Sequence, residues 1–170
     1  GFDADGQARE WAFAGNSAQI QGAERSTRAV SANVDVMTTI LFSGILERFP
    51  RLKVVSAESG LGWAPYLLEV ADHHWKQANL KTNGMPLPPS EYFRRQCYAT
   101  FWFENNHNKL PQLVETVGED RILFETDFPH PTCLYPRDDV RMDHNLDQLT
   151  DDEKRQVMST NAAALYRIDV

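Results

Sequence analysis

Apolar positions along this chain recur with two alternating periods. From Ser26 onward Val30, Val34, Met37, Leu41 and Ile45 follow at three- and four-residue steps, the single apolar face of a helix that Pro50 is expected to end. Leu52–Ala57 (LKVVSA) is short, β-branched and two-sided, which predicts a buried parallel strand. After Glu58-Ser59-Gly60-Leu61-Gly62, Pro65 suits the first turn of a second helix, with Leu67, Leu68, Ala71 and Trp75 inward. Leu80–Ser90 is rich in turn formers and reads as a surface connector. Residues 97–103 (CYATFWF) predict a second strand. Pro111 then opens a helix with Leu110, Leu113, Val114 and Val117 inward and Gly118 as its C-cap.

The run Ile122-Leu123-Phe124 inside Arg121–Glu125 predicts a third buried strand. Residues 126–149 read as a long, charged, proline-bearing loop, a type that is usually functional within a compact domain. Thr150-Asp151-Asp152-Glu153 has the form of a capping box. It starts a last helix toward Tyr166, with Val157, Met158 and Leu165 apolar. Residues 1–24 show weak periodicity and predict a loop with one helical turn around Ala8–Phe13.

Strands alternating with helices imply right-handed crossovers and a parallel α/β sheet. Three strands make a poor sheet, because edges and apolar faces lack cover. A closed (β/α)8 barrel needs roughly 200–250 residues, and this chain has 170. It reads as one partial barrel domain over 1–170.

A net charge of −7 argues against nucleic acid or an anionic membrane as partner. No apolar run approaches a membrane span. Cys97 and Cys133 form no C-x-x-C pair and suit a reduced, cytoplasmic protein. The chain opens on Gly1 rather than Met, so further sequence is expected ahead of it.

Candidate chemistry collects where the strands end. The first delivers Glu58, the second Glu104 with Asn105, and the third Glu125, Thr126, Asp127 and His130, stiffened by Pro129 and Pro131. Parallel sheets and barrels keep ligands at the carboxyl ends of their strands. Carboxylates gathered there can hold a divalent metal or divide acid and base duties. Plainer readings stand beside this one: an Asx-turn for Asp127, and a helix N-cap for Glu104, preferred at that position. Gly60 and Gly62 would let backbone approach closely beside Glu58, and Trp63 could wall a substrate pocket. His73 and His74 read as a surface pair. A catalytic zinc site usually shows three protein ligands, and the sequence contains neither H-x-H nor H-E-x-x-H.

The segments GILERFPRLKVVSAESGLGWAPYLLE, YATFWFE, ILFETDFPHP and NAAALY, in that order over roughly residues 30 to 167, resemble the C-terminal half of the amidohydrolase-related proteins. These are metal-dependent hydrolases similar to aminocarboxymuconate semialdehyde decarboxylase. The resemblance implies a (β/α)8 TIM-type barrel of which this chain holds strands six, seven and eight. It implies that Asp127, in the D-x-P-H segment, binds the catalytic metal and shuttles protons, with His130 facing the site toward substrate. Many members carry a histidine where strand six ends; this chain has Glu58 there. The family's other ligands, on strands one and five, would lie ahead of Gly1.

The resemblance thus implies metal-dependent hydrolysis, or non-oxidative decarboxylation of a small carboxylate, by the complete protein. It implies a divalent metal, with zinc the expected ion and little of it held by this chain alone. Asp127 and Glu58 are the expected catalytic residues, His130 and Trp63 the substrate contacts. A small-molecule substrate is the expected partner, together with a second copy or an N-terminal barrel half. The rival reading is an inactive barrel fragment that acts only through such association. A small open-sheet binding domain is weaker, since no Gly-rich phosphate loop follows a strand.

Overall fold

The computed structural model describes residues 17–104, 110–130, 133–134, 146 and 148–169. The turn expected around Ala8–Phe13, the Asn105–His107 segment and most of the 126–149 loop lie outside them.

Helix α1 runs Ala18–Phe42, so it begins well before Ser26. Ser17 supplies the missing signal: its side chain accepts the Ile20 N–H as an N-cap, while the first turns stay largely exposed and carry no apolar period. Pro50 does not end this helix. Gly44, left-handed at φ 73°, breaks it, and the Ser43 hydroxyl accepts the Ile45 N–H at 3.2 Å, starting a separate short helix, α2 (Ile45–Arg48).

Strand β1 (Val54–Ser56) leads into α3 (Ala64–Gln77), with Pro65 in its first turn. The connector that follows contains an unforeseen helix, α4 (Pro89–Gln96). Its cap comes from far along the chain: Asp72 on α3 accepts the Ser90 N–H at 2.9 Å and the Ser90 hydroxyl at 2.6 Å. Its buried face also includes a polar residue. Gln96 can be fully buried because its amide donates to the carbonyls of Phe49 and Leu52, so its own buried donor group is paired.

Strand β2 (Cys97–Phe101), α5 (Leu110–Val117) and β3 (Ile122–Phe124) follow. The C-terminal helix joins α-helical Asp151–Arg155 and Asn161–Tyr166 through a π-helical stretch, Gln156–Thr160. Its Asn161 side chain donates to the carbonyls of Glu119 and Ile122 at 2.7 and 2.8 Å, docking the helix at the entry to β3.

Among the described residues the sheet has three strands in the order β1-β2-β3, both pairs parallel. One sheet face, with Cys97, Ala99, Phe101 and Ile122, joins Leu67, Leu68, Phe93 and Leu113 of the helices in the main core. Strand alternation puts Tyr98, Thr100 and Leu123 on the other face. The sequence predicts that this second face needs cover from outside the chain. In the structure Tyr98, Thr100 and Leu123 are already buried, at 7, 4 and 3% exposure.

Candidate functional site

Parallel pairing sends all three strands toward one rim. At the end of β1, Glu58 adopts a left-handed backbone, φ 56°, and its N–H donates to Oε1 of Glu125 at 2.8 Å. Gly60 follows at φ 65°. A Cβ there would lie 2.7 Å from the Phe103 ring and against the Glu104 carboxylate, so a side chain would be strained and would have to displace those groups. At Gly62 a Cβ would meet nothing within 4 Å, and the close approach expected there does not occur. The Glu104 carboxylate accepts from the Leu61 N–H and, at 3.1 Å, from the Trp102 N–H. It thus ties the β1 loop to the end of β2, a role the N-cap reading did not foresee.

Trp63 donates its indole N–H to the Gly60 carbonyl at 2.8 Å and packs edge-on against Phe93, ring centroids 6.2 Å apart. That places it against the main core, where it braces the loop.

At the end of β3, Glu125 extends the ladder by one bond, its N–H donating to the Phe101 carbonyl at 3.2 Å. Asp127 turns left-handed, φ 61°. The chain then folds back, the His130 N–H donating to the Asp127 carbonyl at 2.9 Å, across a cis Phe128–Pro129 bond. The same turn sets His130 Nδ1 2.6 Å from Asp127 Oδ1. The hydrogen bond to the Asp127 carboxylate, and then its charge, raise the imidazole pKa above its usual value; Glu58 adds to this.

Glu58, Asp127 and His130 each bring one ligand atom within 4.8 Å of the others. Three residues singled out from sequence therefore meet at one point. The donor chemistry suits a divalent ion: two carboxylates favour hard cations such as magnesium or manganese, and the imidazole also suits zinc.

Glu125 is the neighbour that sequence reasoning named at the strand end but gave no role. It is half-buried, and burial raises its carboxyl pKa; hydrogen bonds with the Thr100 side chain and the Glu58 amide oppose that rise, and the charges of Glu58 and Asp127 add to it. A signal was present: Glu125 stands two residues before Asp127 at a strand end, on the strand face of Leu123.

The sequence profile of the amidohydrolases matches residues 13–168. The chain belongs to the amidohydrolase family. Among curated amidohydrolase relatives, the gamma-resorcylate decarboxylase of Rhizobium sp. (strain MTP-10005) is 25% identical over 139 residues, covering 76% of this chain and 38% of that protein. The 2-amino-3-carboxymuconate-6-semialdehyde decarboxylase of Dictyostelium discoideum is 25% identical over 136 residues, covering 77% and 35%. An amidohydrolase of Mycobacterium avium subsp. paratuberculosis K-10 superposes with TM-score 0.68 at 28% identity, over 86% of this chain and 35% of that one. A dihydroxybenzoic acid decarboxylase of Polaromonas sp. JS666, solved with manganese and the inhibitor 2-nitroresorcinol, shares the fold at TM-score 0.62 and 23% identity, over 82% and 41%. The chain spans less than half the length of each of these proteins. No helix among the described residues is long and apolar enough to cross a membrane.

Proposed function

We propose that this chain is the part of an amidohydrolase-type (β/α)8 barrel that carries strands six to eight, here β1, β2 and β3. The complete protein is a metal-dependent enzyme acting on a small carboxylate, by non-oxidative decarboxylation or by hydrolysis. The observation that carries the reading is the meeting of Glu58, Asp127 and His130 at the carboxyl ends of parallel strands. The curated relatives above are decarboxylases, which favours decarboxylation over hydrolysis.

Asp127 would hold the divalent metal, with Glu58 beside it. The manganese in the Polaromonas structure supports a divalent ion and gives zinc no preference. Such an ion, when bound, polarises a substrate oxygen or lowers the pKa of water. The chain's own residues do the rest. His130, held by Asp127, keeps its proton to higher pH than an ordinary imidazole and can pass it between substrate and solvent. Glu58 lies exposed on the same rim, within reach of the substrate.

The test is CO2 release from hydroxybenzoates by the manganese-loaded protein that contains this chain. Loss of a residue that merely supports a metal ligand commonly costs 10–100-fold, so Asp127→Ala should lower the rate at least about a hundredfold. Release that is indifferent to Asp127→Ala or to metal removal would overturn the reading.

The second reading, a fragment that works only through association, draws on the sheet itself. Among the described residues β1 and β3 are edge strands, and unpaired strand edges invite pairing. Sedimentation at micromolar concentration should then show a self-associated species, or a complex with an N-terminal barrel half; a monomer that stays compact and stable on its own would count against it.

A further inference from the structure

One contact joins the two strand ends that carry the cluster. The Glu58 N–H donates to Glu125 Oε1 at 2.8 Å, across 67 positions of sequence. Glu125 is well anchored: its own N–H continues the β2–β3 ladder to the Phe101 carbonyl, and it is half-buried whereas Glu58 is exposed. Glu58 sits at φ 56°, a conformation a residue with a side chain keeps only where its surroundings enforce it. Three residues on, the Leu61 N–H is held by Glu104. The Glu58–Leu61 loop is thus tied at both ends by carboxylates that follow β2 and β3.

A carboxylate is a costly acceptor at this spot, with Glu58 and Asp127 as close acidic neighbours. It contributes direction: an acceptor fixed to the ladder sets where the Glu58 amide points, and with it the base of the side chain whose carboxylate lies three bonds beyond Cα. We propose that Glu125 is a positioning residue, whose grip on the Glu58 amide fixes the left-handed turn that aims the Glu58 carboxylate at Asp127 and His130. What Glu58 then does there rests on the metal-site reading above, but the grip can be measured without it.

The experiment uses the full chain, labelled with 15N, as wild type, Glu125→Gln and Glu125→Met. Both variants lack the charge and nearly match the volume of glutamate, and Gln alone keeps an oxygen acceptor. Amide exchange is read at Glu58, with Leu61 as the control for an intact loop. Manganese(II) alone is then titrated in, and paramagnetic broadening of the His130 ring protons gives its apparent affinity.

Glu125→Met should speed exchange of the Glu58 amide at least about fivefold, in line with one lost hydrogen bond, and leave Leu61 unchanged. It should also weaken manganese several-fold relative to Glu125→Gln, and this difference should vanish when Glu58→Ala is added to both. Equal Glu58 exchange in the Gln and Met variants would overturn the proposal, as would a Gln–Met difference in affinity that survives Glu58→Ala. If manganese fails to broaden His130 even in the wild type, the metal reading falls, and the exchange comparison still decides whether Glu125 holds Glu58.

Discussion

His130 Nδ1 and Asp127 Oδ1 lie 2.6 Å apart, with the Asp127 side chain 6% exposed and the His130 side chain 61% exposed. The carboxylate is buried in the rim, and the imidazole stands exposed above it beyond the Phe128–Pro129 turn. A sequestered carboxylate facing an exposed imidazole favours the protonated ring.

The imidazole of His130 should therefore titrate above the ordinary histidine value of about 6.5. Because the folded pKa lies above the unfolded one, the stabilisation from this pair is complete below about pH 6.5 and fades as pH rises through the folded pKa. Asp127→Asn should bring the midpoint down and flatten that part of the stability profile. A ring-proton NMR titration of both proteins decides it; a wild-type midpoint at or below about 6.5 would contradict the pairing.

Gly60 and Gly62 make a matched pair. Gly60→Ala adds a methyl group at φ 65°, 2.7 Å from the Phe103 ring, and left-handed backbone alone costs a side-chain-bearing residue about 1–2 kcal/mol. Gly62→Ala meets open space. Urea melts should show a loss of at least about 1–2 kcal/mol for the first and within about 0.5 kcal/mol of wild type for the second. Equal effects would mean that the loop is not pinned at Gly60.

How much of this was legible in the sequence follows from the range of the interactions. The three strands and the inward residues of α5 could be read because their periods are local and apolar. Helix α4 could not, since its cap, Asp72, lies 18 residues away and its face contains the buried Gln96. The break at Gly44 was hidden because Ile45 continues the apolar spacing across it. At the site, Glu58, Asp127 and His130 could be singled out by their place after strands. Their convergence depends on parallel register, and the bond from Glu58 to Glu125 joins residues that no local pattern relates. The packing of Trp63 was hidden for a similar reason: nothing near it in sequence reveals Phe93.

The capping box is local and should behave accordingly. Thr150 accepts the Glu153 N–H at 3.3 Å, and Glu153 accepts the Thr150 N–H at 2.7 Å. Thr150→Ala should cost about 1 kcal/mol. The Thr150 backbone hydrogen bond lowers the Glu153 pKa, so its contribution is present above the unfolded value of about 4.3 and is lost as pH falls through the folded pKa. In acid titrations followed by thermal melting, Glu153→Gln should remove part of the stability lost in that range; unchanged profiles would show that the box contributes nothing.

Asp127 is the residue on which the proposed metal centre depends. Isothermal titration of manganese(II) into the chain and into its Asp127→Ala variant tests it most directly. Weak binding by the chain and none by the variant are expected, because Glu58, Asp127 and His130 offer a partly exposed, acidic and incomplete ligand set. One ion held tightly per chain, or weak binding that survives Asp127→Ala, would contradict it.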